Sequence, residues 1–436
     1  MITRVSRHQW VILALAVLVV ALLTALWTER FPVSAQQANA EFNGHVRRNS
    51  RPREAASKTP APSERTANPV LVKKWMDELL ESYPAAMAER WDVPAHENGH
   101  LAWVKFSEEV MEGVDLPDCV SEYVSNPNAE NRNCTKEWLS QNKHIEDGLI
   151  AITAFQQRSM GDARLDDLAT PGVNNFTEAF HILLVRGLIS AEDGDDTLAL
   201  SAFASALSMV RNVDGTEATS LLGQVIATGA RAVIYENFLN RIYPSLSADS
   251  EKLSAWREAL SPGDTRDALT RALIGENLRG TALLISSALS GEFDSVTGLE
   301  ITDAETKVLI DTGFGLKARV IAAVKSGSSL ESIPAMYGQP INPSGLSEES
   351  LALKSEEMET MQSVVSAILK KETRLMMYDA ALAAAIGEII PVDPVSGKPF
   401  IWDGDTMTLS APEGSSPQKP VVLPDQNELR SPRLKH

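Results

Sequence analysis

The sequence has little positive charge. Its 436 residues include 40 lysines and arginines against 58 aspartates and glutamates, for a formal net charge of −18. The basic excess lies at the two ends: residues 1–30 carry +2, residues 31–68 carry +3 and residues 411–436 carry +1, which leaves −24 on residues 69–410. Nucleic-acid binding needs a concentrated positive surface. The composition therefore argues against nucleic acid as a partner and predicts an acidic, well-solvated body.

The short motifs of the common enzyme classes are also missing. The chain has no G-x-S-x-G nucleophile elbow, no phosphate-binding loop, no dinucleotide fingerprint and no calcium loop. No pattern repeats at a fixed period, although Gly194-Asp195 with Ala199 and Phe203 is similar to the turn and second helix of a tetratricopeptide unit. We therefore expect no cofactor and a fold that is at most weakly tetratricopeptide-like.

Long apolar runs are absent except for one. The segment from Trp10 to Trp27 holds eighteen residues without a charge, which is long enough to cross a bilayer core. A tryptophan at each end suits the interfacial aromatic belt. We predict a transmembrane anchor at 10–28. A cleaved signal peptide with its small-residue site at Val33-Ser34-Ala35 is the alternative, but the run is longer than a usual signal core.

The flanking charges predict the orientation of this anchor. Arg4 and Arg7 precede the apolar run, and the positive-inside rule then leaves residues 1–9 as a cytoplasmic tip. Residues 29–68 are rich in Ala, Gln, Arg, Ser and Pro without apolar periodicity, which is typical of a disordered linker. The sequence thus predicts a single-pass inner-membrane protein whose body lies in the periplasm.

The body at 69–390 is predicted to be mainly α-helical. Apolar residues recur there at three- and four-residue spacing between short polar turns, as in helices that bury one face. Gly229 lies in one apolar stripe, where it would let a neighbouring helix approach. The later predicted helices cover 136–160, 176–191, 247–260, 264–290, 302–325 and 347–386.

The chain changes character after residue 390. Residues 391–399 are dense in turn formers, and Phe400-Ile401-Trp402 and Met407-Thr408-Leu409 then flank Asp403-Gly404-Asp405. That arrangement predicts a β-hairpin within 391–410. We expect residues 411–436 to be a disordered polar tail.

Cys119 and Cys134 are the only cysteines and flank a polar loop. An even count in an exported domain predicts a disulfide, which would stabilise the fold by roughly 3 kcal/mol. Two unpaired thiols are the alternative if the body faces the cytoplasm.

One motif suggests metal chemistry. His96-Glu97-Asn98-Gly99-His100 matches the H-E-x-x-H pattern, in which two histidines one helical turn apart bind zinc and the glutamate activates water. The pattern requires both histidines in one helix, whereas Asn98-Gly99 favours a turn or a helix N-cap. If Asn98 caps the following helix, His96 lies outside it. We therefore interpret the match as coincidental; a real site would need a third ligand such as Glu108, Glu109, Glu112 or His144.

Two titratable residues lie inside apolar helical segments. We interpret His181 as a hydrogen-bonded core histidine. Glu276 follows Gly275 in a strongly apolar stretch, and a buried carboxylate needs partners. Arg231 or Arg279 could supply one, so we expect a structural ion pair whose loss in Glu276→Ala costs about 3–5 kcal/mol. A catalytic Glu276 is the alternative.

The chain resembles a family of uncharacterised, membrane-anchored helical proteins of planctomycete- and verrucomicrobia-type bacteria. The resemblance lies in Glu97-Asn98-Gly99-His100 with Trp103, in Gly194-Asp195, in Gly275-Glu276 and in the ending at residues 393–399. It implies that Asn98 matters to the helix start and that the flanking histidines are incidental. The ending also looks like that of pseudopilins, but the anchor has no prepilin cleavage site.

These patterns together predict a non-catalytic interaction or scaffolding module of the cell envelope, with another envelope protein as a possible partner. An envelope hydrolase, with zinc held by His96 and His100 and water activated by Glu97, is the alternative.

Overall fold

A computed structural model of the chain describes residues 69–88, 93–159, 175–216, 219–246, 248–291, 293, 302–339, 344–413 and 418–424. Within these ranges the protein is mainly helical, as predicted, and carries a small three-stranded antiparallel sheet near its C-terminus. The predicted anchor at 10–28 and linker at 29–68 lie outside the described residues, and both stay predictions. None of the helices in the described ranges is long and apolar enough to cross a bilayer.

The N-terminal half of the body contains seven of the helices in the described ranges. They are α1 (Pro69–Ser82), α2 (Gly99–Phe106), α3 (Asp118–Ser125), α4 (Ala129–Gln141), α5 (Lys143–Thr153), α6 (Phe176–Glu192) and α7 (Asp196–Asp214). The single helix predicted over 136–160 is wrong, because Asn142 separates α4 from α5. The Asn142 side chain donates to the Trp138 carbonyl at 2.9 Å and so ends α4 locally.

The C-terminal half contains seven further helices of the described ranges, including the three longest. They are α8 (Leu221–Asn237), α9 (Tyr243–Leu246), α10 (Ser250–Leu260), α11 (Thr265–Ser290), α12 (Asp303–Lys325), α13 (Ile333–Tyr337) and α14 (Glu348–Ala385). The predicted bounds of α11, α12 and α14 are correct to within one residue at each end. Capping explains this accuracy, since Asp264, Thr302 and Ser347 each accept a hydrogen bond from a first-turn N–H.

The acidic turn between α6 and α7 combines capping with ion pairing. Asp195 caps α7 by accepting from the Leu198 N–H at 3.0 Å. Asp193 and Asp196 remain partly exposed to solvent and also form ion pairs, with Lys136 at 2.7 Å and with Lys252 at 2.6 Å. Both partners belong to helices distant in sequence, so no local pattern reports them.

The buried apolar residues form two cores. The first core comprises α2–α10, the C-terminal half of α14 and the sheet. Its centre is Trp256, whose ring lies 5.2 Å from that of Phe203 and 4.9 Å from that of Phe238. The second core comprises α1, α11, α12, α13 and the N-terminal half of α14. Helix α14 therefore joins the two cores along its length.

Glycine supports close packing at a different place from the one predicted. A Cβ on Gly229 would meet nothing within 4 Å, so the expected close approach there is wrong. At Gly187 in α6, a Cβ would lie 2.4 Å from the Phe203 ring of α7. Gly187 thus allows α6 and α7 to pack closely. The apolar pattern of the sequence does not distinguish this glycine from the others.

The C-terminal sheet is larger than the predicted hairpin. Strands β1 (Ile401–Asp403) and β2 (Thr408–Ser410) form that hairpin, and β3 (Val421–Val422) pairs with β2. The prediction that residues 411–436 are a disordered tail is therefore wrong for 418–424. Val421 and Leu423 are buried in the first core, but two apolar residues among prolines are too few for a periodic signal.

The turn that precedes the sheet is fixed to α14 through Asp393. Its carboxylate accepts from the Thr373 hydroxyl at 3.0 Å, the Val395 N–H at 3.1 Å and the Ser396 hydroxyl at 2.6 Å. Asp393 is fully buried. The turn residues that resemble the family's ending therefore dock the C-terminal segment on the helical body.

The disulfide prediction is confirmed. Cys119 in α3 and Cys134 in α4 form one covalent bond across 15 positions of sequence. The Thr135 hydroxyl also donates to the Cys119 carbonyl at 3.2 Å. The bond thus holds α3 and α4 together as a unit beside α6.

Candidate functional site

The structure separates the two histidines of the H-E-x-x-H match. His96 lies in a 3-10 turn at Ala95–Glu97 with its side chain 80% exposed, 3.2 Å from the Glu97 carboxylate. His100 is the second residue of α2 and is 4% exposed. Its Nδ1 donates to the Asn212 carbonyl of α7 at 3.1 Å. Because the two rings do not share a helical face, they lack the geometry that the zinc motif requires.

Asn98 explains why the motif folds this way. Its side-chain oxygen accepts from the backbone N–H groups of His100 at 3.0 Å and Ser159 at 3.1 Å, and its amide donates to the Ser159 carbonyl at 2.7 Å. Asn98 is therefore the N-cap of α2, as predicted. It also binds the segment that follows α5, which the sequence did not suggest.

Gly99 and Arg158 complete this junction. The Gly99 N–H donates to the Gln157 carbonyl at 2.9 Å, and a Cβ on Gly99 would lie 2.7 Å from Phe155. Arg158 is buried and donates to the Asn212 side chain at 2.9 Å and to the Ser208 hydroxyl at 2.9 Å. The residues around Asn98 thus serve chain packing, with donors and acceptors directed at protein atoms.

Metal ligands are not clustered elsewhere either, as far as the structure describes the chain. Within the described ranges there is no group of three or more His, Cys, Asp or Glu side chains placed to hold an ion. The proposed third ligands do not change this arrangement, since Glu108, Glu109, Glu112 and His144 are all exposed.

Glu276 has a different environment from the one predicted. Arg231 pairs with Asp214 at 2.5 Å, so the expectation that Arg231 could pair with Glu276 is wrong. Glu276 is half-buried and makes no ion pair with any residue in the described ranges. Its carboxylate instead influences Arg279, Lys317 and Tyr337 through space. Glu276 therefore borders a polar region inside the second core.

A second buried network lies where the two cores meet. Glu372 of α14 accepts from the Gln224 amide at 3.1 Å and from the Thr265 hydroxyl at 3.3 Å. Burial raises the pKa of Glu372, and Arg231 opposes that effect. Each Glu372 oxygen has a protein donor, and Arg231 has a carboxylate partner. This network joins α7, α8, α11 and α14 and has a structural role.

The polar region beside Glu276 is organised by two buried lysines. Lys317 of α12 and Lys354 of α14 contact the two oxygens of one carboxylate, that of Glu357, at 2.6 Å and 2.5 Å. The side chain of Lys354 is 3% exposed, whereas that of Glu357 is 32% exposed. We call these residues the lysine–carboxylate triad. Its ammonium groups are enclosed by protein, while its carboxylate side chain remains accessible to water.

Electrostatics distinguishes the members of the triad. Although burial acts in the opposite direction, Lys317 and Lys354 lower the pKa of Glu357 to about 2. Burial lowers the pKa of Lys354, and the neighbouring Lys317 adds to that effect. For Lys317 the carboxylates of Glu357 and Glu276 outweigh burial and raise the pKa. The triad therefore holds two cations on one anion in a poorly solvated interior.

Tyr337 adds a donor to the same region. It is the last residue of α13 and is 1% exposed, and within the described residues its hydroxyl has no hydrogen-bond partner. Burial and the nearby carboxylates of Glu276 and Glu357 raise its pKa, so the hydroxyl remains protonated at neutral pH. A buried hydroxyl without a partner is unusual in a folded protein and requires an explanation.

Two glycines in α12 make room for this arrangement. A Cβ on Gly313 would lie 1.9 Å from the Lys354 amine, and a Cβ on Gly315 would lie 2.7 Å from the Tyr83 hydroxyl. Glycine inside a helix costs about 1 kcal/mol relative to alanine. Neither position has room for a side chain, and Gly313 lies directly against the Lys354 amine.

Sequence reasoning missed the triad. The available signal was Gly313-Phe314-Gly315 followed by Lys317, a charged residue between the apolar Leu316 and Ala318. Lys317 is one turn after Gly313, so both lie on one face of α12. The partner residues come from α13 and α14, and no spacing in the sequence connects them to α12.

Comparisons with known proteins add no identification. No family model, no curated protein and no solved structure matches this chain. The resemblance to membrane-anchored proteins of planctomycete- and verrucomicrobia-type bacteria therefore stays a prediction.

Proposed function

We propose that this protein is a single-pass protein of the cell envelope, with a helical body outside the cytoplasm that acts as a non-catalytic interaction module. The Cys119–Cys134 bond carries this proposal. Disulfides form and persist in oxidising compartments and are rare in the cytosol. Both cysteines of the chain are used in this one bond, as expected for a body exported behind an anchor at 10–28.

The geometry of the H-E-x-x-H match supports the non-catalytic part of the proposal. His96 is exposed outside α2, and His100 is buried against Asn212. The alternative of a zinc-dependent envelope hydrolase needs both rings and Glu97 around one ion. Asn98 and Gly99 fix the chain in a conformation that keeps them apart.

The predicted linker suits a module that reaches a partner at the membrane. A flexible chain the length of residues 29–68 has a root-mean-square span of roughly 35 Å. The acidic body at its end is soluble and keeps its distance from anionic lipid headgroups. We expect the partner to be another envelope protein.

Topology is tested by fusing alkaline phosphatase after His436. We expect phosphatase activity in the full-length fusion, and no signal from a fluorescent protein that folds only in the cytoplasm at the same position. In the unfused protein, alkylation without reductant should modify no cysteine, whereas Cys119→Ser should leave Cys134 reactive. Cytoplasmic signal alone, together with alkylatable thiols in the parent, would refute the proposal.

The non-catalytic part is tested by metal analysis of the full-length protein. We expect zinc at background in the parent, in His96→Ala and in Glu97→Gln, because these exposed side chains do not converge on a shared point. One equivalent of zinc that disappears in His96→Ala would favour the hydrolase. Both substitutions are on the surface, so loss of folding would not confuse the result.

A further inference from the structure

The lysine–carboxylate triad contains more hydrogen-bond donors than acceptors. Each ammonium group of Lys317 and Lys354 carries three N–H donors, and each makes one ion-pair contact, to Glu357, in the described structure. Both amines are enclosed by protein. One carboxylate therefore contacts two buried ammonium groups, so Glu357 uses only part of their N–H donors.

The hydroxyl of Tyr337 is a further hydrogen-bond donor near this region. Its hydroxyl is 1% exposed, lacks a partner among the described residues and lies within electrostatic range of Glu357 and Glu276. A hydroxyl in a purely structural core normally has a hydrogen-bond partner. The Tyr337 hydroxyl and the remaining N–H donors of the two lysines thus all require a hydrogen-bond acceptor.

Water reaches the triad from one side. The Glu357 side chain is 32% exposed although both of its lysine partners are sealed. Glu357 is therefore the member of the triad that lies nearest to solvent. At Gly313 the Lys354 amine itself occupies the space that a side chain would need, since a Cβ there would lie 1.9 Å from it.

We propose that Lys317, Lys354 and Tyr337 form a binding site for a small oxyanion, a carboxylate or a phosphate, beside Glu357. Two ammonium groups and one hydroxyl supply charge-assisted and neutral donors to its oxygens. Glu357 positions the two amines, and Glu276 borders the site with a charge of the same sign as the ligand. The site goes beyond the proposed envelope function and does not depend on it.

This arrangement predicts substitutions with opposite effects. Lys354→Met and Lys317→Met each remove a cation and should weaken anion binding at least tenfold. Tyr337→Phe removes only the hydroxyl oxygen and should weaken binding several-fold. Glu276→Gln removes a repelling charge and should tighten binding, whereas Lys307→Met, a change in an exposed lysine of the same helix α12, should leave binding unchanged.

The experiment is calorimetric titration of the full-length protein, in detergent, with sodium acetate and with inorganic phosphate at constant ionic strength set by chloride. Saturable binding of either probe that weakens in Tyr337→Phe and tightens in Glu276→Gln is the expected result. Acetate binding without phosphate binding identifies a carboxylate ligand, and the reverse identifies a phosphate. No saturable binding of either probe, or binding that Tyr337→Phe leaves unchanged, overturns the proposal.

Tyr337→Phe is the decisive variant because it separates binding from folding. The hydroxyl makes no protein hydrogen bond in the described structure, so the variant should fold with a melting temperature no lower than that of the parent in the absence of anion. Added acetate or phosphate should then raise the melting temperature of the parent more than that of the variant. Equal shifts would contradict the site even if both lysine variants failed to fold.

Discussion

The first core is closed by aromatic rings, whereas the second core encloses ionised side chains. Trp256 packs between Phe203 and Phe238, and Tyr235 stacks on Tyr378 at 5.4 Å. The ion pairs around the first core lie mostly at its surface, as between Arg132 and Glu192, and the buried pair of Arg231 with Asp214 lies at the boundary with the second core. In the second core, by contrast, Lys317 and Lys354 are inside and share Glu357.

The two cores therefore differ in how their side chains contribute to the stability of the fold. Buried apolar rings contribute to stability in proportion to their area. Replacing a buried ion pair by apolar side chains of similar volume is often neutral or stabilising. The first core therefore carries the fold, and the triad in the second core is the better candidate for a function.

The largest effect is expected for Trp256→Ala in the first core. Removing this ring takes away the contacts to Phe203 and Phe238 and leaves a cavity, which should lower the free energy of unfolding by about 3–5 kcal/mol. Chemical denaturation checks this value. Trp75→Ala in α1 is the control, because that ring is only half-buried; an equal loss in the two variants would contradict the assignment of Trp256 to the centre of the first core.

The next effect concerns the disulfide, which is restricted to the first core. Cys119→Ser with Cys134→Ser should lower the free energy of unfolding by roughly 3 kcal/mol, because the bond limits the unfolded chain across 15 positions. Thermal unfolding with and without reductant provides the measurement. The parent should lose stability on reduction and the double variant should not, so a parent insensitive to reductant would refute the prediction.

In the second core, Glu357→Gln should lower the free energy of unfolding by about 2–3 kcal/mol, since two buried ammonium groups would lose their shared counter-ion while some solvent screening remains. Glu276→Gln should cost well under about 1 kcal/mol, as expected for a half-exposed charge. The larger loss predicted from the sequence was for Glu276→Ala and assumed an ion pair that Glu276 does not make with the described residues. Melting curves of the two variants decide between the assignments, and a greater loss for Glu276→Gln would reverse them.

The last prediction concerns a pH dependence of stability in the first core. Burial lowers the pKa of His181 to about 4, below its unfolded value of about 6.5. The unfolded chain then binds more protons, so the stability that neutral His181 provides is present above about pH 6.5 and is lost as pH falls toward 4. Between pH 7 and pH 5 the parent should lose about 1–2 kcal/mol relative to His181→Phe. The exposed His144→Phe is the control, and parallel pH profiles for all three proteins would contradict the prediction.

Local signals predicted most of the helices. Asp264, Thr302 and Ser347 are N-caps, and the helices they begin were predicted to within one residue. Capping and apolar periodicity depend on neighbours in sequence, which is why they could be read. The break at Asn142 was missed because it depends on a single side chain, and the strand at Val421–Val422 was missed because two residues are too few to show a periodic pattern.

The candidate site could not be predicted in this way. The sequence indicated His96, Glu97 and His100, which lie within five residues of one another, but the first two lie in a 3-10 turn and His100 lies in the first turn of α2. Glu276, which the sequence also indicated, does border the region that holds Lys317 and Tyr337. Its expected partner Arg231 instead belongs to the boundary between the cores.

By itself the sequence determined the helical class, the bounds of the long helices, the pairing of Cys119 with Cys134 and the role of Asn98 as a cap. Each of these follows from residues that are close together in the chain or, for the cysteines, from having only one possible partner. Only the tertiary structure decided the division into two cores and the convergence of Lys317, Tyr337 and Glu357. Those residues come from α12, α13 and α14, and the free energy of a buried charge depends on neighbours in space, which no local spacing records.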